Sequence, residues 1–82
     1  MNKELEMIQT VLASSYEGLP YYLKACFLYL SIFPEDHRIR WSRLVRRWIA
    51  EGYSRRIRDK TAVETGNSYI TELINRSMVR PL

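Results

Sequence analysis

The sequence predicts a mainly α-helical fold, a small helical bundle with one short strand before its third helix and a terminal strand at its end. Three observations lead there. Apolar residues recur at helical spacing in four segments, Gly and Pro stand at the ends of those segments, and the stretches left over are too short for anything but brief strands and turns. With 82 residues the chain supports one domain, and by surface-to-volume scaling it buries only about 60% of its unfolded surface. That size argues against a large enzymatic cleft.

Residues 3–16 place Leu5, Ile8, Leu12 and Ser15 on one stripe, widened by Met7 and Val11, which predicts an amphipathic helix. Gly18 stops it. Pro20 suits the first turn of the next helix, where its missing N–H costs nothing, and residues 19–33 follow as a nearly continuous apolar run. Pro34 disfavours helical backbone at Phe33, so the helix ends there. Two apolar stripes share this helix: Leu19, Leu23, Phe27 and Leu30 on one, Tyr22, Cys26, Tyr29 and Phe33 on the other. A helix apolar nearly all round is normally buried, and 82 residues hold too little protein to cover it. The expectation is that part of it lies against another domain or chain.

Pro34-Glu35-Asp36 reads as a turn and residues 37–40 as a short strand or extended link. Trp41, Leu44, Val45, Trp48 and Ile49 fall at i, i+3, i+4, i+7 and i+8, a helix with one buried face, which Gly52 closes with Tyr53 placed to touch Trp48. Residues 54–60 are polar and basic, hence a loop. Thr61 and Glu64 form a capping box, and the last helix runs to about Arg76 with Gly66, Tyr69, Ile70, Leu73 and Ile74 inward. Gly66 on that stripe predicts close approach of a neighbouring helix. Residues 78–80 read as a terminal strand.

Charge is unevenly placed. Up to Asp36 two basic residues face five acids, and from His37 onward eleven face four. Arg43, Arg46 and Arg47 are interleaved with Trp41 and Trp48, which invites a nucleic-acid reading. The seven-residue spacing of the tryptophans puts both on the buried stripe, and the arginines fall on the opposite, solvated face. The last helix carries Glu64 and Glu72 against only Arg76, so phosphates would repel it from a groove. Nucleic acid is therefore disfavoured as a partner. Cys26 is the single cysteine and cannot form an intrachain disulfide, and His37 is the single histidine, so no zinc scaffold can be built. Cys26 reads as a small hydrophobe, His37 as an exposed side chain, and the adjacent Glu35 and Asp36 as turn residues that do not face each other as a catalytic dyad would. No apolar stretch reaches the ~20 residues that span a bilayer, and the acidic N-terminus is no signal peptide. No membrane is expected, and the cytoplasm is the predicted location, with the nucleus as the alternative.

Helix, short strand, helix, helix, strand is the order of a winged-helix domain, here with one extra helix in front and the wing cut short. The motifs carry this further. Ser15-Tyr16-Glu17-Gly18-Leu19-Pro20 and the run Leu23-Lys24-Ala25-Cys26-Phe27-Leu28-Tyr29-Leu30-Ser31-Ile32-Phe33-Pro34-Glu35-Asp36 closely resemble the "SYxxLPxxLKxCFLYxSIFPED" block of plant nucleotide-binding, leucine-rich-repeat disease-resistance proteins. Residues 43–53 resemble that family's "LIRLWIAEGF" segment. Gly66, Tyr69, Glu72, Leu73, Arg76 and Ser77 resemble its "GxxYxxELxxRS" segment.

The resemblance implies the winged-helix, or second ARC, subdomain of a nucleotide switch. On that reading residues 1–18 are a linking helix from the preceding subdomain, and residues 19–82 are the winged-helix subdomain, truncated before the Met-His-Asp motif. It implies a non-enzymatic lid that packs on the ADP-bound nucleotide-binding domain and moves as ATP enters. The intact receptor would be a P-loop ATPase-type switch acting in defence and the hypersensitive response, with a coiled coil and a leucine-rich repeat elsewhere. No cofactor site is assigned within these residues; ADP or ATP with Mg is implied for the full receptor. The implied partners are the nucleotide-binding and leucine-rich-repeat domains of the same receptor. Phe27, Tyr29, Leu30, Phe33 and Trp48 are the core and interdomain candidates, Glu35 and Asp36 the turn where packing is adjusted, and Arg43, Arg46 and Arg47 the basic face. The rivals are a stand-alone nucleic-acid-binding winged helix using residues 38–60, and a self-associating module.

Overall fold

A computed structural model of the chain describes residues 6–9, 16–30 and 38–81. The elements run β1 (Glu6–Gln9), α1 (Tyr21–Leu30), β2 (Arg38–Arg40), α2 (Trp41–Glu51), α3 (Ala62–Asn75) and β3 (Val79–Pro81). Helix dominates, in a winged-helix-like arrangement. The three strands form one antiparallel sheet in the order β2-β1-β3.

Strand β1 corrects the expected helix over residues 3–16. Glu6–Gln9 is extended, with Met7 opposite Ile39 of β2 and Pro81 of β3. A short apolar run fits either periodicity, and pairing decides between them. Strands β2 and β3 are three residues each, and β1 between them meets backbone hydrogen-bonding groups on both of its edges, a long-range demand that overrides local preference. The predicted helix does finish as expected: Tyr16 and Glu17 are helical, and the chain turns at Gly18 with Leu19 N–H donating to Tyr16 O at 3.1 Å.

Helix α1 begins where proline predicts it. The Pro20 carbonyl accepts from the N–H groups of both Leu23 and Lys24, each at 3.0 Å. Residues 31–33 of the expected helix, and the Pro34-Glu35-Asp36 turn with His37, lie outside the described residues.

Helix α2 follows β2 directly and ends in a Schellman motif. Gly52 takes φ +83°, its N–H donates to Ile49 O at 3.0 Å, and Tyr53 N–H donates to Trp48 O at 2.8 Å. The predicted Tyr53–Trp48 contact is thus a backbone bond, while the Tyr53 ring sits edge-on to Tyr29 at 6.0 Å. Residues 57–60 make a tight hairpin inside the expected loop, with Ile57 and Lys60 exchanging both backbone bonds and Arg58 held at φ +56°. The capping box of α3 is complete: Glu64 N–H donates to Thr61 Oγ1 at 3.1 Å and Thr61 N–H to Glu64 Oε1 at 2.9 Å. At the other end Ser77, at φ +61°, repeats the Schellman bonding with a non-glycine residue. Its N–H reaches Ile74 O and Met78 N–H reaches Leu73 O, both at 2.9 Å. Met78 and Leu73 are themselves fully buried, the apolar contact that accompanies this motif.

The core lies where the three helices meet the sheet. Leu23, Cys26, Phe27 and Leu30 of α1 pack with Leu44, Val45 and Trp48 of α2, Ile70 and Leu73 of α3, and Ile39 and Val79 of the sheet. Gly66 sets the spacing between α2 and α3, because a Cβ there would stand 2.8 Å from Val45 Cγ1 and 3.1 Å from Ser54 Oγ. Ser54 is buried beside it, its hydroxyl donating to Ala62 O at 2.6 Å.

Gly66→Ala is expected to destabilise the domain by about 1–2 kcal/mol in urea unfolding, overpacking of about 1–3 kcal/mol outweighing alanine's better helix propensity. Val45→Ala in the Gly66→Ala background should recover part of that loss, and additive costs would show that the contact does not control the spacing. Leu30→Ala, which empties a core position, should cost about 2–5 kcal/mol.

Candidate interdomain surface

The core-facing side of α1 is occupied by Leu23, Cys26, Phe27 and Leu30, which leaves a third side. Tyr21, Ala25 and Leu28 stand at i, i+4 and i+7 and share it. Tyr21 is 85% exposed and Leu28 50%. Beside this stripe Lys24 lies over the Tyr16 ring at 5.4 Å, a cation–π contact that holds the side chain along the helix.

This redistributes the sequence candidates. Phe27, Leu30 and Trp48 are buried in the core. Cys26, expected on the second stripe, is also in the core. Tyr29 is half-buried, its ring against Tyr53 and its hydroxyl accepting from Arg47 Nη1 at 3.4 Å. Tyr22 packs on Tyr69 of α3, ring centroids 5.3 Å apart. Phe33, Glu35 and Asp36 fall outside the described residues. The surplus apolar surface is present, but its outward residues are Tyr21 and Leu28; the signal was legible in the helical period counted from Tyr21.

Arg43, Arg46 and Arg47 are exposed on α2, opposite Leu44, Val45 and Trp48. Trp48 is wholly buried and can stack on nothing from outside, and its Nε1–H has no hydrogen-bond partner. Trp41 is half-buried, with Nε1–H donating to Asn67 Oδ1 at 2.8 Å.

Two titratable groups are perturbed. Burial pushes the Cys26 thiol up to about 12 from 9.0. Burial also raises the Tyr69 phenol, with Cys26, Tyr22 and Tyr21 acting the same way and the Arg55 guanidinium opposing them. A thiol held protonated at neutral pH is a poor nucleophile.

The described residues do not by themselves fit a nucleotide or a magnesium ion. Gly18, Gly52 and Gly66 serve as a turn, a helix cap and a packing contact, so none is left for a phosphate-cradling loop. Among the described residues no group of three or more His, Cys, Asp or Glu is arranged to hold a metal, and no helix is long and apolar enough to cross a membrane.

The sequence profile described as "Disease resistance protein Winged helix domain" matches residues 32–81. The chain belongs to this family. Relatives span most of its length. It is 40% identical over 79 residues to disease resistance protein RPM1 of Arabidopsis thaliana, and 54% identical over 74 residues to the probable disease resistance protein RXW24L of the same plant. It is 41% identical over 78 residues to disease resistance protein Pik-2 of Oryza sativa subsp. japonica. These alignments cover 96%, 88% and 95% of this chain and 8% of each relative. The winged-helix domain is thus a defence-related module, and its match begins beyond α1 and ends within β3.

Because the folded thiol of Cys26 titrates above its unfolded value, the burial of the neutral thiol contributes stability that is complete below about pH 9 and lost as pH rises toward 12. The domain is expected to unfold progressively more easily in urea above pH 9, and Cys26→Ala should flatten that part of the profile. Labelling with iodoacetamide at pH 8 should be at least tenfold slower in the folded domain than in urea; equal rates would place Cys26 at the surface.

Proposed function

We propose that this domain is the moving, non-enzymatic subdomain of an NB-ARC nucleotide switch in a cytoplasmic plant immune receptor. In the resting receptor it packs on the ADP-bound nucleotide-binding domain, and it moves away as ATP enters. The family relationship supports the receptor context, and one observation supports the packing role: α1 keeps Tyr21 and Leu28 outward while its opposite side is committed to the core. The nucleotide is held by the rest of the receptor, and these residues act through contact.

The mechanism is differential burial. Covering a leucine fully stabilises an interface by about 1.5–3 kcal/mol, so a half-exposed Leu28 has about half of that left to contribute in whichever arrangement covers it. A nucleotide biases the receptor only through contacts that differ between the two arrangements. The α1 face supplies such a difference if the ADP state covers it and the ATP state does not. Anchoring of the same helix by Leu23, Phe27 and Leu30 lets the face move as part of a rigid body.

Leu28→Asp in a receptor carrying this segment is expected to lower its ADP content several-fold and to produce signalling without a pathogen cue, because it places a charge in the resting interface. The same substitution in the 82-residue domain should cost about 1–2 kcal/mol and leave it folded, since only half of the side chain is covered there. Unchanged nucleotide content together with unchanged signalling would sink the packing role.

A further inference from the structure

Among the described residues six large hydrophobics stay exposed, and three of them converge on one groove. Tyr21 and Tyr22 from the start of α1, Ile57 from the 57–60 hairpin and Tyr69 from α3 line a concavity of about 390 Å³, at the small end of the range for ligand sites. The Tyr21 and Tyr22 rings stand 83° apart at 5.7 Å, giving two nearly perpendicular apolar walls. Thr65 also lines the groove; it is 2% exposed and its Oγ1 has no hydrogen-bond partner. A buried hydroxyl without a partner is costly in a finished fold and is relieved when an incoming polar group reaches it.

Positive charge is in excess around the groove, although Asp59 stands on the same hairpin as an exposed acid. Lys60 lines it, and its ammonium uses one of three donors on Ser68 Oγ at 2.7 Å. Arg55 lies near enough to oppose the upward shift of the Tyr69 phenol, and exposed Arg56 and Arg58 extend the positive side along the hairpin. Glu72 is the acid in the lining, and its carboxylate is held by Arg76 at 3.0 Å. An apolar floor with free ammonium donors at its edge suits an apolar side chain flanked by a carboxylate.

We propose that the Tyr21–Tyr22–Ile57–Tyr69 groove docks a short extended segment of the same receptor, one that places an apolar side chain between the tyrosines and a neighbouring carboxylate on Lys60. The proposal rests on the receptor reading above. A groove this small holds a few residues and binds a free peptide weakly, whereas a tethered segment meets it at an effective concentration near millimolar. The domain spans 8% of its relatives' length, so such a receptor has ample chain to supply one.

The test is photocrosslinking in a receptor carrying this segment, with Tyr21→p-benzoylphenylalanine, a substitution at an 85% exposed ring. The expected product is an intramolecular crosslink to a segment with Asp or Glu within two residues of an apolar side chain. Its yield should fall at least tenfold with Lys60→Glu and again with Ile57→Asp, both on the surface hairpin. Absence of a crosslink, a crosslink to a basic or uncharged segment, one to a second chain, or one indifferent to Lys60→Glu overturns the proposal. Leu28→Asp separates the two ideas: altered nucleotide content without the crosslink removes only the groove assignment, and a crosslink with nucleotide content untouched removes the switch role instead.

Discussion

The approach of α2 to α3 across Gly66 is the contact on which the rest of the fold depends. With no side chain at that position, Val45 comes within the space a Cβ would need, and the two helices close over Trp48. That seals the largest core side chain of a thin domain, and it brings Ser54 close enough to tie the loop after α2 to the first turn of α3. The hairpin at residues 57–60 is held between these two anchored ends. Its position, and therefore the position of Ile57 and Lys60, follows from a glycine on a different element.

A second constraint is the shortage of protein. The domain has one core, and α1 satisfies it with four side chains on one side. Everything apolar on the rest of that helix must be covered by neighbours or remain outside. Tyr22 and Tyr29 find partial cover against Tyr69 and Tyr53, each through an aromatic contact of the kind worth about 0.5–1.5 kcal/mol beyond area. Tyr21 stays 85% exposed and Leu28 50%. Their exposure is what a domain packed among others would show, since covering them within 82 residues would require another element.

Features set by neighbours in sequence were legible; those set by distant pairing were not. The start of α1 at Pro20, the Gly52 cap, the Thr61–Glu64 box and the Gly66 contact all follow from local chemistry or helical period, and each stands where it was read. Strand β1 did not, because Glu6–Gln9 becomes extended only through partners at least thirty and at least seventy residues away. Ser77 hid a second Schellman cap, since only glycine advertises a left-handed position. The surface was half legible. The count of apolar residues on α1 foretold an overhang, but dividing them into two stripes separated Cys26 from the core side it shares with Leu23 and Phe27 and overlooked the side shared by Tyr21 and Leu28. The turn candidates Glu35 and Asp36 lie outside the described residues.

Tyr21 joins the two surfaces. It begins the outward stripe of α1 and also lines the groove closed by Ile57 and Tyr69. Any covering of one surface therefore changes the surroundings of the other, because a ring this exposed can be buried from either side but occupies one rotamer at a time. Coupling of this sort needs no deformation of the core. Leu23, Phe27 and Leu30 fix the helix axis and α3 fixes Tyr69, so the Tyr21 side chain can respond by reorienting with whatever lies against it. A receptor that packs one neighbour on α1 and threads another segment through the groove would thus couple the two occupancies at one residue. Reciprocity then follows, each contact changing the other's free energy by the same amount.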